Sequence, residues 1–186
     1  MTIFTIGHST RPIAEFLGLL TRSGIARLVD IRAFPGSRRY PHFNRDALAR
    51  ELAAAGIEYL HRPSLGGRRR LAPDAPPSAW RNDSFRAYAE YMRTPEFHAA
   101  LDDLIELAEA ERTTIMCSEA VPWRCHRTLV SDALTARGVQ VEHILDGAVS
   151  EHHVTRFAVV KNGEVTYPPT AEVESDVQHA LELGDS

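Results

Sequence analysis

Short β-rich apolar runs alternate with segments of helical spacing over residues 1–145. Thr2–Ile6 reads as a strand that stops at Gly7-His8-Ser9-Thr10. Pro12 then suits the first turn of a helix, carried by Ile13, Phe16, Leu17 and Leu20 and ended by Gly24. Arg27–Ile31 is a second strand, followed by an irregular Pro/Gly/Arg loop and a helix over 44–55 closed by Gly56. Ile57–Leu60 makes the third strand. Ser84–Met92 reads as a short helix, and Thr94-Pro95-Glu96 opens the next, whose apolar stripe is Phe97, Leu101, Leu104, Ile105 and Ala108. Thr113–Cys117 is the fourth strand. A helix over 125–137 stops at Gly138, and Val139–Leu145 is the fifth strand.

This alternation implies right-handed crossovers and an α/β fold: an open, mostly parallel, doubly wound sheet in three α/β/α layers. Asn162-Gly163 between Arg156–Val160 and Glu164–Tyr167 is a strong hairpin signal, so a C-terminal β-hairpin should follow the main fold. Residues 1–150 are thus expected to form the α/β domain, with 151–186 as a hairpin and tail packed on it. The last dozen residues read as helical or frayed. Residues 61–82, with two glycines and five arginines, make a long loop suited to function or to disorder.

A length of 186 residues supports one sizeable core, and 44% hydrophobic with 25% charged residues is ordinary globular composition. The N-terminus has no basic leader before an apolar run, and no stretch is apolar enough to span a membrane. A cytoplasmic protein with no membrane partner is expected, with Cys117 and Cys125 as reduced thiols; a homodimer is compatible with this reading. The net charge of −4 hides an asymmetry, since residues 1–95 hold 15 Lys and Arg against 8 Asp and Glu, and residues 96–186 hold 6 against 17. The positive residues of the first part are all arginines, whose guanidinium forks suit phosphate and carboxylate; a solvated face is the plain alternative.

Ligands of open parallel sheets bind beyond the carboxyl ends of the strands. Those ends carry His8 and Ser9, Asp30 and Arg32, His61 and Arg62, and Cys117-Ser118-Glu119, while Cys125-His126-Arg127 opens the following helix toward the same edge. Asp30 and Glu119, with His8, are candidate acid/base groups, and Cys117 is a candidate nucleophile. Ser9, Arg32, Arg38, Arg62, His126 and Arg127 are candidate substrate or anion ligands, aided by the helix N-terminus. Each also has a structural reading: Asp30 paired with Arg32, Cys117 as a small core residue, His126 as an ordinary first-turn residue.

Four motifs carry a resemblance: Thr5-Ile6-Gly7-His8-Ser9; Leu28-Val29-Asp30-Ile31-Arg32 with Pro35 and Ser37-Arg38; Leu65-Gly66-Gly67; and Met116-Cys117-Ser118-Glu119 with Cys125-His126-Arg127. In this order, over roughly residues 3–146, the chain resembles the domain of unknown function 488 family. The family commonly has alanine at the position of Ser118 and valine at that of Ile31. The resemblance implies a cytoplasmic microbial protein and strengthens the site without assigning a reaction.

Arginine-rich loops interleaved with Tyr40, His42, Phe43, Tyr59 and Trp80 suit a phosphate-bearing partner, either nucleic acid or a nucleotide. Hydrolytic or transfer chemistry on such a substrate by the carboxylates is the leading expectation, with cleavage of a glycosidic bond to a nucleobase as one concrete form. A rival reading makes Cys117, heading the loop to Arg124, the thiolate of a phosphatase- or sulfurtransferase-like enzyme. Six residues separate the two where the phosphatase pattern has five. A non-catalytic module that binds an anion or nucleic acid is the alternative from another class. Cys117, Cys125, His8 and His126 are plausible metal donors but lack the close pairs of structural zinc sites, so no metal is expected. Without a Walker loop or GxGxxG, no cofactor is expected either.

Overall fold

The computed structural model describes residues 1–169. Five parallel strands form the sheet: β1 (Thr2–Gly7), β2 (Arg27–Asp30), β3 (Glu58–His61), β4 (Thr113–Cys117) and β5 (Gln140–Leu145). The sixth, β6 (Ala148–Glu151), runs antiparallel to β5, and the order across the sheet is β3-β2-β4-β1-β5-β6. The helices are α1 (Ile13–Arg22), α2 (Arg45–Ala54), α3 (Asp83–Tyr91), α4 (Pro95–Ala110) and α5 (Arg127–Ala136). The fold is therefore α/β as the alternation predicts, and strand β6 is an addition. Asp146-Gly147 joins β5 to β6 as a two-residue hairpin turn, with Gly147 at φ 76°, a backbone region glycine enters without a Cβ clash.

Side chains of a strand alternate between faces, and the two cores follow that period. Phe4, Ile6, Leu28 and Met116 pack with Phe16, Leu20, Leu48 and Leu52 of α1 and α2. Ile3, Val29, Ile31, Ile115 and Cys117 pack on the opposite face with Leu101, Leu104, Leu129 and Leu134 of α4 and α5. Burying each such side chain contributes about 1.5–3 kcal/mol, so the two faces hold the layers together. Asn82 caps α3 through bonds to the amides of Ser84 and Phe85, and Thr94 caps α4 through the amide of Phe97.

The expected hairpin forms from β7 (Val159–Lys161) and β8 (Glu164–Thr166), turning at Asn162-Gly163, with both turn residues at positive φ. Just past β8, the Tyr167 hydroxyl donates to Asp132 Oδ2 of α5 at 2.7 Å, which ties the hairpin to the main fold. Residues 61–82 contain little regular structure and are pinned by bonds. Arg69 donates to the Gly66 and Ser64 carbonyls, and Ala79 N and Ser78 Oγ donate to the Tyr167 carbonyl. The expectation for the last dozen residues lies outside the described residues. Among those described, no helix is long and apolar enough to cross a membrane.

Candidate functional site

Strand β4 lies between β2 and β1, so Cys117 at its end emerges between the other two strand ends. The ladder continues past the strands, because His8 N donates to the Cys117 carbonyl at 3.0 Å and Ser9 N to the Ser118 carbonyl at 2.8 Å. The loop after Cys117 then crosses over Gly7. A Cβ there would stand 1.7 Å from the Glu119 carbonyl oxygen, so only glycine lets the loop pass. Arg127 holds that loop from beneath: its Nη2 donates to the carbonyls of Glu119 and Ala120 at 3.2 and 3.3 Å.

The crevice beyond these strand ends has a chamber of about 350 Å³. Cys117, Cys125 and His126 lie along it, as do the guanidinium-bearing Arg32, Arg68 and Arg124. Glu119 is its one acidic lining residue among those described. Arg32, Phe34, Ser118 and Glu119 also border a neighbouring hollow of about 370 Å³ reached by His8, Ser9 and Tyr40. The crevice is thus polar and rich in positive charge, with a wall of exposed Phe34.

At the floor, His126 Nδ1 lies 3.8 Å from Cys117 Sγ and 3.6 Å from Cys125 Sγ. A hydrogen bond from the Cys125 thiol holds the Cys117 thiol well below its ordinary value; burial opposes this and His126 supports it. The same bond, with burial, pushes Cys125 well up. Burial pulls the Arg127 guanidinium below its ordinary value, while the charges of the two thiols favour it. Its Nε and Nη1, like His126 Nε2, are buried without a hydrogen-bond partner among the described residues.

The sequence-predicted site residues divide. Cys117, Glu119, His126 and Arg32 meet at the crevice, and His8 and Ser9 line the adjoining hollow. Asp30 does not join them. Its backbone pairs with Met116 rather than Cys117, so its side chain points to the α1/α2 face. There it is fully buried and paired with Arg32 Nε and Nη2, the Arg32 amide and the Tyr59 hydroxyl. Asp30 orients Arg32, and the expectation that it shares a crevice with Glu119 is corrected by this register. Burial, reinforced by the repulsion between the Asp30 carboxylate and a phenolate and by the hydrogen bond to Asp30, drives Tyr59 far above its ordinary value.

His8 stacks on Phe43 at 4.2 Å, donates from Nδ1 to the Ser9 carbonyl and accepts at Nε2 from Arg32. Burial pushes its pKa down to about 4, so it is neutral at pH 7. Two other anion candidates lie elsewhere: Arg62 pairs with Asp103 of α4 at 2.6 Å, and Arg38 borders a surface hollow with Arg45 and Asp46. Arg127 is buried beneath the loop rather than presented to the crevice. Arg69 lies over the Tyr91 ring at 3.4 Å, while Arg68 lines the crevice.

Linear spacing does not mark Cys125 as a site residue and argues against a metal. In the structure Cys117, Cys125 and His126 form a three-donor cluster, with the ligand atoms within 4.8 Å of one another. His8, the fourth donor considered, is not part of it. The signal was Pro122. It starts a 3₁₀ turn, Pro122–Arg124, which folds the loop so that residues eight apart meet. Gly67 was also unassigned: a Cβ there would stand 2.3 Å from His126 Nδ1, so its bare backbone seats the imidazole.

No curated protein and no solved structure matches the chain. The family model described as Domain of unknown function DUF488 matches residues 12–134, which lie within the span of the resemblance. The chain belongs to the DUF488 family.

Proposed function

We propose that this protein is an enzyme performing hydrolytic or transfer chemistry on a phosphate-bearing substrate such as a nucleotide. One observation carries the reading: Glu119, the single acidic lining residue among those described, shares the crevice with three guanidiniums. Arg32, Arg68 and Arg124 suit the anionic group, and charge-assisted bonds to such groups are strong. Arg32 is held for this by Asp30. A water attacking the reacting centre gives its proton to the Glu119 carboxylate, and the resulting acid returns a proton to the leaving group.

A second reading has its own support in the depressed Cys117 thiol. In it the thiolate attacks the phosphoryl or sulfane-sulfur centre and the leaving group departs with a proton from Glu119; water then frees the thiolate from a phosphocysteine, whereas a persulfide hands its outer sulfur to an acceptor thiol. Single-turnover kinetics on nucleotide and phosphoester substrates separates the two. With Glu119 as the proton carrier, Glu119→Gln lowers the chemical rate by about 10²–10⁴-fold with substrate binding retained. An unchanged rate removes Glu119. Trapping of a phosphorylated or persulfidated Cys117 in the wild type, with a dead Cys117→Ser variant, hands the chemistry to the thiolate.

A further inference from the structure

Two thiols and an imidazole meet at the crevice floor, and the two imidazole–sulfur separations are those that a tetrahedral ion imposes. Zinc bound at about 2.3 Å to sulfur and about 2.0–2.1 Å to nitrogen sets N···S edges of about 3.6 Å. The two edges from His126 Nδ1 are 3.8 Å to Cys117 Sγ and 3.6 Å to Cys125 Sγ. The same geometry sets a sulfur–sulfur edge of about 3.8 Å. All three donor atoms lie within 4.8 Å of one another, so the thiols need close by no more than about 1 Å to hold the ion.

We infer that Cys117, Cys125 and His126 form a zinc site with three protein ligands and a fourth position open to the crevice. Thiolate and imidazole donors select zinc over magnesium or calcium, which take oxygen. Three protein ligands with one open position is the pattern of catalytic zinc, whereas structural sites are closed by four.

The surroundings hold the donors in place. Arg127 N donates to Cys125 Sγ at 3.5 Å, which orients that sulfur. The imidazole lies against the bare Gly67 backbone, 5.0 Å from the Tyr88 ring, and the Tyr88 hydroxyl anchors the same segment through the Leu65 carbonyl at 2.8 Å. The Leu65-Gly66-Gly67 motif thereby acquires a role as the seat of a ligand. Charge also balances, since two thiolates neutralise the ion and the buried Arg127 guanidinium beside them meets no net positive charge. In the open position the ion offers the crevice a Lewis acid and a bound water.

The site rests on donor geometry alone, independently of the reading of Glu119. The full chain, purified untagged, reduced and stripped by chelator, is titrated with cobalt(II) and with zinc. We expect one ion per chain, a thiolate-to-cobalt charge-transfer band, the intense visible bands of a tetrahedral centre, and displacement of cobalt by zinc. Cys125→Ser, nearly equal in volume, should lose the charge-transfer intensity and stoichiometric zinc while keeping the wild-type far-ultraviolet circular dichroism. Gly67→Ala, which displaces the imidazole, should weaken zinc binding by about 10–100-fold, as loss of an outer-shell support does.

A wild-type chain that takes up no cobalt while both thiols react freely overturns the inference. So does metal binding that survives in the Cys117→Ser/Cys125→Ser double variant. Glu119→Gln keeps the metal on this assignment, so loss of turnover there and loss of metal in the cysteine variants fail separately.

Discussion

Two buried polar clusters flank α5, and they are built on opposite terms. In one, Thr5 Oγ1 pairs with His143 Nδ1 at 2.7 Å, His143 Nε2 with His152 Nδ1 at 3.0 Å, and His152 Nε2 with Asp132 Oδ1 at 2.8 Å. Thr155 N and the Tyr167 hydroxyl complete Asp132. A single choice of tautomers satisfies every member, with each donor finding an acceptor along the chain. The cluster at the crevice floor instead leaves His126 Nε2 and Arg127 Nε and Nη1 without partners among the described residues. A closed network fixes a fold, and an open one keeps bonding capacity for something that is not protein.

The largest expected effect is on the closed side. Asp132→Ala strands His152, Tyr167 and the Thr155 amide, and should cost about 3 kcal/mol or more. For a chain of this length that lowers Tm by about 6–12 °C, readable by calorimetry. A variant melting like the wild type would reduce the network to incidental contacts.

The network also carries a pH signature. Burial, reinforced by the neighbouring His152, pushes the His143 pKa down to about 3 from an ordinary 6.5. The folded state thus favours neutral His143 while the unfolded chain binds a proton below pH 6.5. Stability from this residue is complete above pH 6.5 and is lost as pH falls toward 3, at up to about 1.4 kcal/mol per pH unit. Urea unfolding from pH 7.5 to 4.5 should show a shallower slope for His143→Gln than for the wild type. Equal slopes would place the titration elsewhere.

The smallest stability effect is expected at the crevice. Exposed Arg68 and Arg124, replaced together by alanine, should change unfolding free energy by no more than about 0.5 kcal/mol each. Binding of a phosphate-bearing ligand should nonetheless weaken, with a flatter salt dependence. If affinity holds and stability falls, the comparison is inverted.

Much of this was legible in the sequence, and the gaps have physical causes. Period-2 and helical spacing located the five parallel strands and their helices to within a few residues, because Ile115 or Leu104 must face a core wherever the crossovers run. Strand order is not a local property, so the insertion of β4 between β2 and β1 had no signal in the pattern. The edge strand β6 did have one in Asp146-Gly147, the same turn chemistry as Asn162-Gly163. Asp30 and Cys117 both end strands, but which face each takes depends on register, and pairing of Asp30 with Met116 parts them. The donor cluster was hidden because motif spacing assumes short, open loops, and Pro122 makes this one return on itself.

The central place of β4 has a consequence for how the molecule breathes. Its amides are bonded on both sides and covered by both helix layers, so exchange with solvent deuterium at Thr113–Cys117 should require global unfolding. The loop that follows turns on a short 3₁₀ segment with exposed Trp123 and can open far more cheaply. Cys117 is therefore anchored in the slowest-exchanging strand, while Cys125 and His126 lie beyond a segment that can lift. That local opening widens access to the crevice floor while the strand beneath stays at rest.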